Sequence, residues 1–313
     1  MSTPRRPRAI LIAGPTASGK SAFAIALARA KGGVIINADS MQVYRELRVL
    51  TARPSAHEEA AVPHRLYGHV SVLEPYSVAR WLDEVDVQIA AAEADGLLPI
   101  IIGGTGLYFK ALLDGLSPIP PIPDDVRAHW RAAGETWSAP DLHAELMRRD
   151  PLSGAQVRPS DRQRTVRALE VIAATGKPLA EWQAISGRPL IEAAHVAKLV
   201  VSRPRAELYE RCERRFRQMI DEGALEEARQ IREMQLDPAL PACRALGLSA
   251  LLAHVAGQMP LEEAIEMAVR DTRHYIKRQA TWLRRYMIAW NNVSAQEMET
   301  EAATDFPIID SDY

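Results

Sequence analysis

GPTASGKS occupies residues 14–21, between the apolar run AILIA (9–13) and SAFAIALARA (21–30), whose spacing reads as a helix. A glycine-rich turn that joins a buried strand to a helix N-terminus, closed by a lysine and a hydroxyl residue, is built to hold phosphate. It matches G-x-x-x-x-G-K-[ST] at Gly14, Gly19, Lys20 and Ser21. Successive backbone N–H groups in such a loop form a concave anion nest, and the helix dipole adds partial positive charge at the same point. Gly14, Pro15, Thr16, Ala17, Ser18, Gly19, Lys20 and Ser21 are therefore the candidate phosphate-binding residues. Lys20 can reach across terminal phosphates, and Ser21 can ligate Mg²⁺. Which molecule owns the phosphate is the question the rest of the chain has to answer.

The neighbouring segments supply the fold. GGVIINADS (32–40) and LLPIIIGGTG (97–106) are further apolar runs, and VARWLDEVDVQIAAAEADG (78–96) carries a helical period ended by Gly96. Buried runs without alternation, linked through helices, predict an α/β fold with a parallel sheet covered on both faces. Four prolines within 118–123 interrupt this pattern, and 124–190 reads as helical with no strand. HVAKLVVSRP (195–204) then reads as one more buried strand, followed by long helices to about 290. The predicted architecture is a P-loop NTPase-like parallel sheet flanked by helices, with an inserted small helical lobe. Its parts are a core of 1–117 and 195–293, a lobe at 118–194 and an acidic tail at 294–313.

Bulk properties bound the function. The chain has 313 residues, 47% hydrophobic and 25% charged, with a formal charge of −2, which is ordinary globular material with room for two domains. Its last twenty residues hold six acids and no Lys or Arg, leaving the first 293 at about +4, so the tail is expected to be a solvated end. Cys212 and Cys243 are isolated, which argues against a disulfide framework or a zinc site and fits a reducing compartment. The first apolar run is too short for a signal peptide, and no stretch is long enough to span a membrane. The expectation is a cytoplasmic monomer with no membrane partner.

An energy-coupling NTPase needs a second acid at the end of an apolar strand to hold the magnesium shell. LLPIIIGGTG ends in glycines and Thr105 instead, and no N-K-x-D guanine-reading motif occurs. The other strand ending does offer an acid, with Asp39 and Ser40 at the carboxyl edge where ligands sit in an open parallel sheet. Asp39 is thus expected to face the 14–21 loop. Asp and Ser at that point would equally serve as a helix N-cap. GGTGLY (103–108) would bring backbone amides and the Thr105 hydroxyl to the same rim, or simply pack a strand against a helix.

RDTRHYIKRQATWLRRYM (270–287) is amphipathic in an unusual way. Arg270, Arg273, His274, Lys277, Arg278, Thr281, Arg284 and Arg285 fall within an arc of about 140° on a helical wheel. Tyr275, Ile276, Trp282, Leu283, Tyr286 and Met287 fall opposite, as a core face. Asp271 is the only acid in the segment. Arg211, Arg214, Arg215 and Arg217 form a second cationic group, and Arg162, Arg164 and Arg167 a third. A small diphosphate needs two or three cations; a long phosphate backbone accounts better for this many.

These segments together resemble the tRNA dimethylallyltransferases, also called tRNA isopentenyltransferases. The matching stretches are GPTASGKS (14–21), ADSMQVY (38–44), PHRL (63–66), YSVARW (76–81), IIIGGTGLYFKALLDGLSPIP (100–120), RPSDRQRTVRALEV (158–171), RRFRQMIDEG (214–223) and TRHYIKRQATWLRR (272–285). They run through nearly the whole chain in order. The sequence departs from the family pattern at Leu248 and Ser249, where an aromatic and a basic residue are usual, and at Leu50, where a glycine is usual.

The resemblance implies that the phosphate is the diphosphate of dimethylallyl diphosphate. Its prenyl group would move to the exocyclic N6 of an adenine beside the anticodon, position 37 of tRNA, turned out of its loop to reach the pocket. By the same resemblance Asp39 is the general base, Thr105 helps to orient it or the amine, and Arg215 reaches the diphosphate from the other side. Thr16 would hydrogen-bond within the loop. The tRNA anticodon stem-loop would be held by Asp39, Ser40, Met41 and Gln42, by Thr105, by Arg127, and by Gln163, Arg164, Thr165, Val166 and Arg167 of the inserted lobe, with Arg244 in addition. The two lobes would close on the RNA loop from opposite sides. Two other readings of the residues stay open here: a P-loop kinase of a small metabolite, and an RNA-binding module with a vestigial loop.

Overall fold

The computed structural model describes residues 7–303 together with Phe306 and Ile309. The chain begins with β1 (Ala9–Ala13), α1 (Lys20–Lys31), β2 (Gly33–Asn37), α2 (Ala56–Ala61), β3 (His64–Arg65), α3 (Val78–Ala94), β4 (Leu98–Gly103) and α4 (Gly106–Asp114). Five helices follow: α5 (Asp124–Thr136), α6 (Ala139–Arg149), α7 (Pro151–Gly154), α8 (Arg162–Thr175) and α9 (Leu179–Gln183). The last section holds β5 (Val196–Val201), α10 (Arg205–Asp221), α11 (Ala224–Glu233), α12 (Leu248–Val255), α13 (Leu261–Tyr286), β6 (Asn291–Val293) and α14 (Ala295–Ala303).

The six strands form one sheet in the order β3-β2-β4-β1-β5-β6, and every pairing is parallel. All five residues of β1 and of β2 are buried, the signature of strands covered on both faces. One face is sealed by a large apolar cluster that includes Trp81, Phe109, Phe216 and Leu251. The other is sealed by Phe23, Leu27 and their neighbours on α1. Register is what positions the site. Ala13 lies opposite Gly103, and Asn37 opposite Ile102, so β1, β2 and β4 all end at one sheet edge.

Two compact units divide the chain: 1–113 with 190–313, and 114–189. The backbone N–H groups of Leu190 and Ile191 donate to the carbonyl oxygen of Leu112, which ties the returning chain to the end of α4. In the smaller unit α5 and α6 pack against α8 over Trp130, Leu142, Leu146 and Leu169. Buried Asp150 accepts from the N–H groups of Ser153 and Leu179 and so joins α7 to α9.

The acidic tail departs from expectation. Instead of a solvated end, its first residues form α14, and Met298, Phe306 and Ile309 are buried in the cluster on α1. Phe306 meets Phe23 edge-on, with centroids 5.5 Å apart. Counting charge averaged over these apolar side chains, while Glu297 and Glu299 face outward. The remainder of 294–313, like residues 1–6, lies outside the described residues. Among the described residues no helix is long and apolar enough to cross a membrane.

Candidate active site

The anion loop leaves β1 at Gly14 and enters α1 at Lys20. Gly19 caps the helix at φ 96°, a left-handed conformation that a side chain would strain, and no side chain caps the helix. Its leading N–H groups therefore stay open for a ligand, because no partner exists for them within the helix. Ala17 also has positive φ, 66°. Outside the loop, Arg211 donates to the carbonyl oxygen of Ala17 and Arg203 to that of Ser18, both at 2.8 Å. Two guanidinium groups thus hold loop carbonyls.

Thr16 differs from the sequence reading. Its N–H and hydroxyl do not bond within the loop; both donate to Oε1 of Gln279 on α13, at 2.9 and 3.2 Å. Lys20 donates from Nζ to the Pro15 carbonyl oxygen at 3.3 Å. Burial pulls the Lys20 ammonium down to about 8; the Asp39 charge counters this, and Arg215 adds to it. Ser21 is exposed at the first turn of α1 and lines a cleft of about 650 Å³ with Gln42, Tyr67 and Arg215, over a wall of Ile25, Ile35 and Ile102. Burial lowers Arg215 below the usual arginine value, and the Asp39 charge works against that shift. Asp39, Lys20 and Arg215 therefore share one electrostatic environment.

No helix follows Asp39, so the capping alternative is removed. Its Oδ1 accepts from the Met41 N–H at 2.9 Å in a tight turn. Buried Asn37 fixes the turn from below: its Oδ1 accepts from the Asp39 N–H, and its Nδ2 donates to the carbonyl oxygens of Asp39 and Leu66. Thr105 Oγ1 accepts from the Ser40 N–H at 3.1 Å and lies 3.4 Å from Ser40 Oγ, which joins the two strand ends. Burial raises the hydroxyls of Tyr67, Tyr108 and Tyr275, and the Asp39 charge raises each of them further. Gln42 uses its amide to hold the carbonyls of Thr51 and Ala52. Met41 packs on the apolar cluster.

The arginine groups separate into exposed members and members held in ion pairs or by backbone carbonyls. On α13, Arg270, His274, Lys277, Arg278, Thr281, Arg284 and Arg285 are exposed on one side, while Arg273 pairs with Glu213 at 2.8 Å. Tyr286, expected in the core, is exposed and stacks obliquely on Trp282 at 4.7 Å. Arg217 pairs with Glu262, and Arg211 is spent on the loop. In the smaller unit half-buried Arg162 donates from Nη1 to the carbonyls of Gly134 and Trp137, so that nitrogen holds structure. Within 163–167 the helical period divides the run. Gln163 and Arg164 are exposed and Arg167 half-buried; Thr165 is buried, so its side chain is withdrawn from the surface, and half-buried Val166 packs on the unit's core. Arg127 is half-buried beside the Ile122 carbonyl. Arg244 is exposed; Leu248 is fully buried.

Gln279, Asn37 and Arg203 were not singled out from the sequence. The first two had a signal: each is a lone amide at a position whose spacing demands an apolar residue. Asn37 ends VIIN, and Gln279 continues the buried series Thr272, Ile276, Leu283.

The chain is similar to proteins of known family. A family model described as IPP transferase matches residues 42–286, and one described as isopentenyl transferase matches 7–72. A protein of Parvibaculum lavamentivorans named tRNA dimethylallyltransferase is 53% identical, over 97% of this chain and 96% of its own length. One of the same name from Rhodopseudomonas palustris is 48% identical over 97% and 94%. The crystal structure of a full-length tRNA isopentenylpyrophosphate transferase from Bacillus halodurans superposes with a TM-score of 0.67 at 29% identity, covering 97% of both chains. A eukaryotic dimethylallyltransferase captured acting on tRNA gives 0.77 at 27% identity, over 94% of this chain and 75% of the other. A family match over most of the chain, with relatives near 50% identity over nearly its full length, means that this chain belongs to the IPP transferase family.

Proposed function

We propose that this chain transfers the dimethylallyl group of dimethylallyl diphosphate to N6 of adenine 37 in tRNA, releasing diphosphate. One arrangement carries the reading: β1 and β2 end at the same sheet edge, so Asp39 and the uncapped N-terminus of α1 with Lys20 meet at one rim, and Arg215 lines the cleft beside Ser21. Two cations and open N–H groups suit a departing diphosphate, and the acid beside them suits an incoming amine.

The chemistry follows from that pairing. The bond between the allylic carbon and the diphosphate oxygen breaks while N6 bonds to that carbon. Charge grows on the leaving group, so fixed donors act mainly in the transition state. The adenine amine becomes acidic only as it bonds to carbon, and its proton passes to the Asp39 carboxylate. The Met41 N–H bond and the Asn37 staple hold that carboxylate in place. Thr105 orients the acceptor, and Arg215 and Lys20 bind the diphosphate.

Mg²⁺ fits the donor set. Ser21 offers one exposed hydroxyl at the cleft, and diphosphate oxygens and waters would complete the oxygen shell such an ion prefers. When bound, it would neutralise part of the leaving group's charge. The exposed cations of α13 would carry RNA backbone, with Arg244, Arg127, Gln163, Arg164 and Arg167 as further contacts at the anticodon loop.

Incubation with tRNA and labelled dimethylallyl diphosphate, followed by mass analysis of the nucleosides, tests the reading. The expected product is N6-dimethylallyladenosine at position 37. Label transfer to a metabolite, or RNA binding without transfer, would replace it.

A further inference from the structure

Gln279 lies on the inward side of α13, opposite its cations. It is 6% exposed, and it spans two loops that come from different strands. Its Oε1 accepts from the Thr16 N–H and hydroxyl at 2.9 and 3.2 Å, and its Nε2 donates to the Gly104 carbonyl oxygen at 3.0 Å. Thr16 belongs to the anion loop after β1; Gly104 precedes Thr105 after β4. The fit is tight, since a Cβ on residue 104 would lie 2.3 Å from Nε2.

We propose that Gln279 is a positioning residue for prenyl transfer, whose carboxamide sets the separation between the anion loop and the Thr105 rim. The assignment rests on the transfer reading above and extends it to a residue remote from the reacting atoms. Gln279 takes the Thr16 N–H, so its effect on the diphosphate runs through the placement of Ala17 to Ser21. The task needs an acceptor and a donor on one uncharged group. A carboxylate supplies only the acceptor, and an alkyl chain supplies neither. Losing either bond leaves a buried polar group unpaired on a loop whose geometry matters most as charge develops.

Two variants test this against a merely structural role. Gln279→Leu should lower kcat about 100-fold, the scale of a misplacement near 1 Å, while KM for dimethylallyl diphosphate changes by less than about five-fold. Gln279→Glu keeps the shape and both Thr16 bonds, but its carboxylate opposes the Gly104 oxygen. Once protonated, that carboxyl can donate again, so the ratio of variant to wild-type kcat should rise as pH falls from 8 to 6. A ratio flat with pH, or a Gln279→Leu enzyme within three-fold of wild-type kcat, would overturn the assignment. If Gln279→Leu does not fold, the Gln279→Glu ratio decides alone. Calorimetric binding of inorganic diphosphate to the wild-type protein separates the two levels. Wild-type protein that neither binds diphosphate nor transfers the prenyl group sinks the transfer reading and this proposal with it. An active wild type matched by both variants sinks only the role of Gln279.

Discussion

Arg211 donates from Nε to the carbonyl oxygen of Ala17 over 2.8 Å, gripping the anion loop by its carbonyl side. Ala17 has φ 66°, so the bond also holds a backbone conformation that alanine seldom adopts. Arg211 is a loop support here and need not touch a ligand. Arg211→Ala should weaken inorganic diphosphate binding about ten-fold, the scale of one charge-assisted hydrogen bond. Titration calorimetry reads this directly, and an unchanged affinity would show that the loop holds its shape unaided.

Lys20 links diphosphate binding to pH. Burial lowers its pKa to about 8, whereas an unfolded lysine titrates near 10.5. Below pH 8 the ammonium is charged and attracts diphosphate; above it the free site is neutral, and binding must recapture a proton. Affinity should therefore be flat from pH 7 to 8 and fall by up to about ten-fold per unit above that. Proton uptake on binding at pH 8.5, measured in buffers of different ionisation enthalpy, checks the sign. The same lysine costs folding stability below pH 8, because the folded state holds the charged form at a disadvantage. That cost is relieved as pH rises from about 8 towards 10.5.

Asp39→Asn separates geometry from charge. The Asn oxygen can still accept from the Met41 N–H, so the turn is retained, but the proton acceptor is lost. Turnover should fall about 100-fold or more, within the range of general-base catalysis, with KM for the prenyl diphosphate little changed. Removing the negative charge also removes what holds the Lys20 pKa up, so the alkaline limb of diphosphate affinity should move to lower pH. A variant with wild-type turnover would take Asp39 out of the chemistry.

Phe306 lies 1% exposed against Phe23, in the segment that charge counting assigned to solvent. Phe306→Ala should cost about 3 kcal/mol of stability, as buried aromatic truncations do. Urea denaturation measures that loss.

Four of the six strands were legible because a strand covered on both faces is apolar along most of its length, and β1, β2, β4 and β5 are such runs, broken only by Asn37 at the end of β2 and Lys198 within β5. β3 has two residues and β6 three, too few to leave a pattern. The cationic side of α13 was legible from period alone. Tyr286 was not, since a residue in the last turn of a helix can lose its packing partner without any change in period. Arg162 and Thr165 read as contacts because residue type was visible, whereas the carbonyls that occupy them were not.

The amino-acid sequence by itself determined the local chemistry: an anion nest at 14–21, acids and hydroxyls at the ends of apolar strands, and a helix with cations on one side. Those are properties of short windows, set by residue type, spacing and backbone stereochemistry. Only the tertiary structure decided which of them meet. The order β3-β2-β4-β1 puts Asp39, Thr105 and the anion loop on one edge, and α13 closes it with an amide that joins Thr16 to Gly104 from 263 and 175 residues away. Hydrogen bonds over such separations are fixed by strand order and helix packing, which no local pattern encodes.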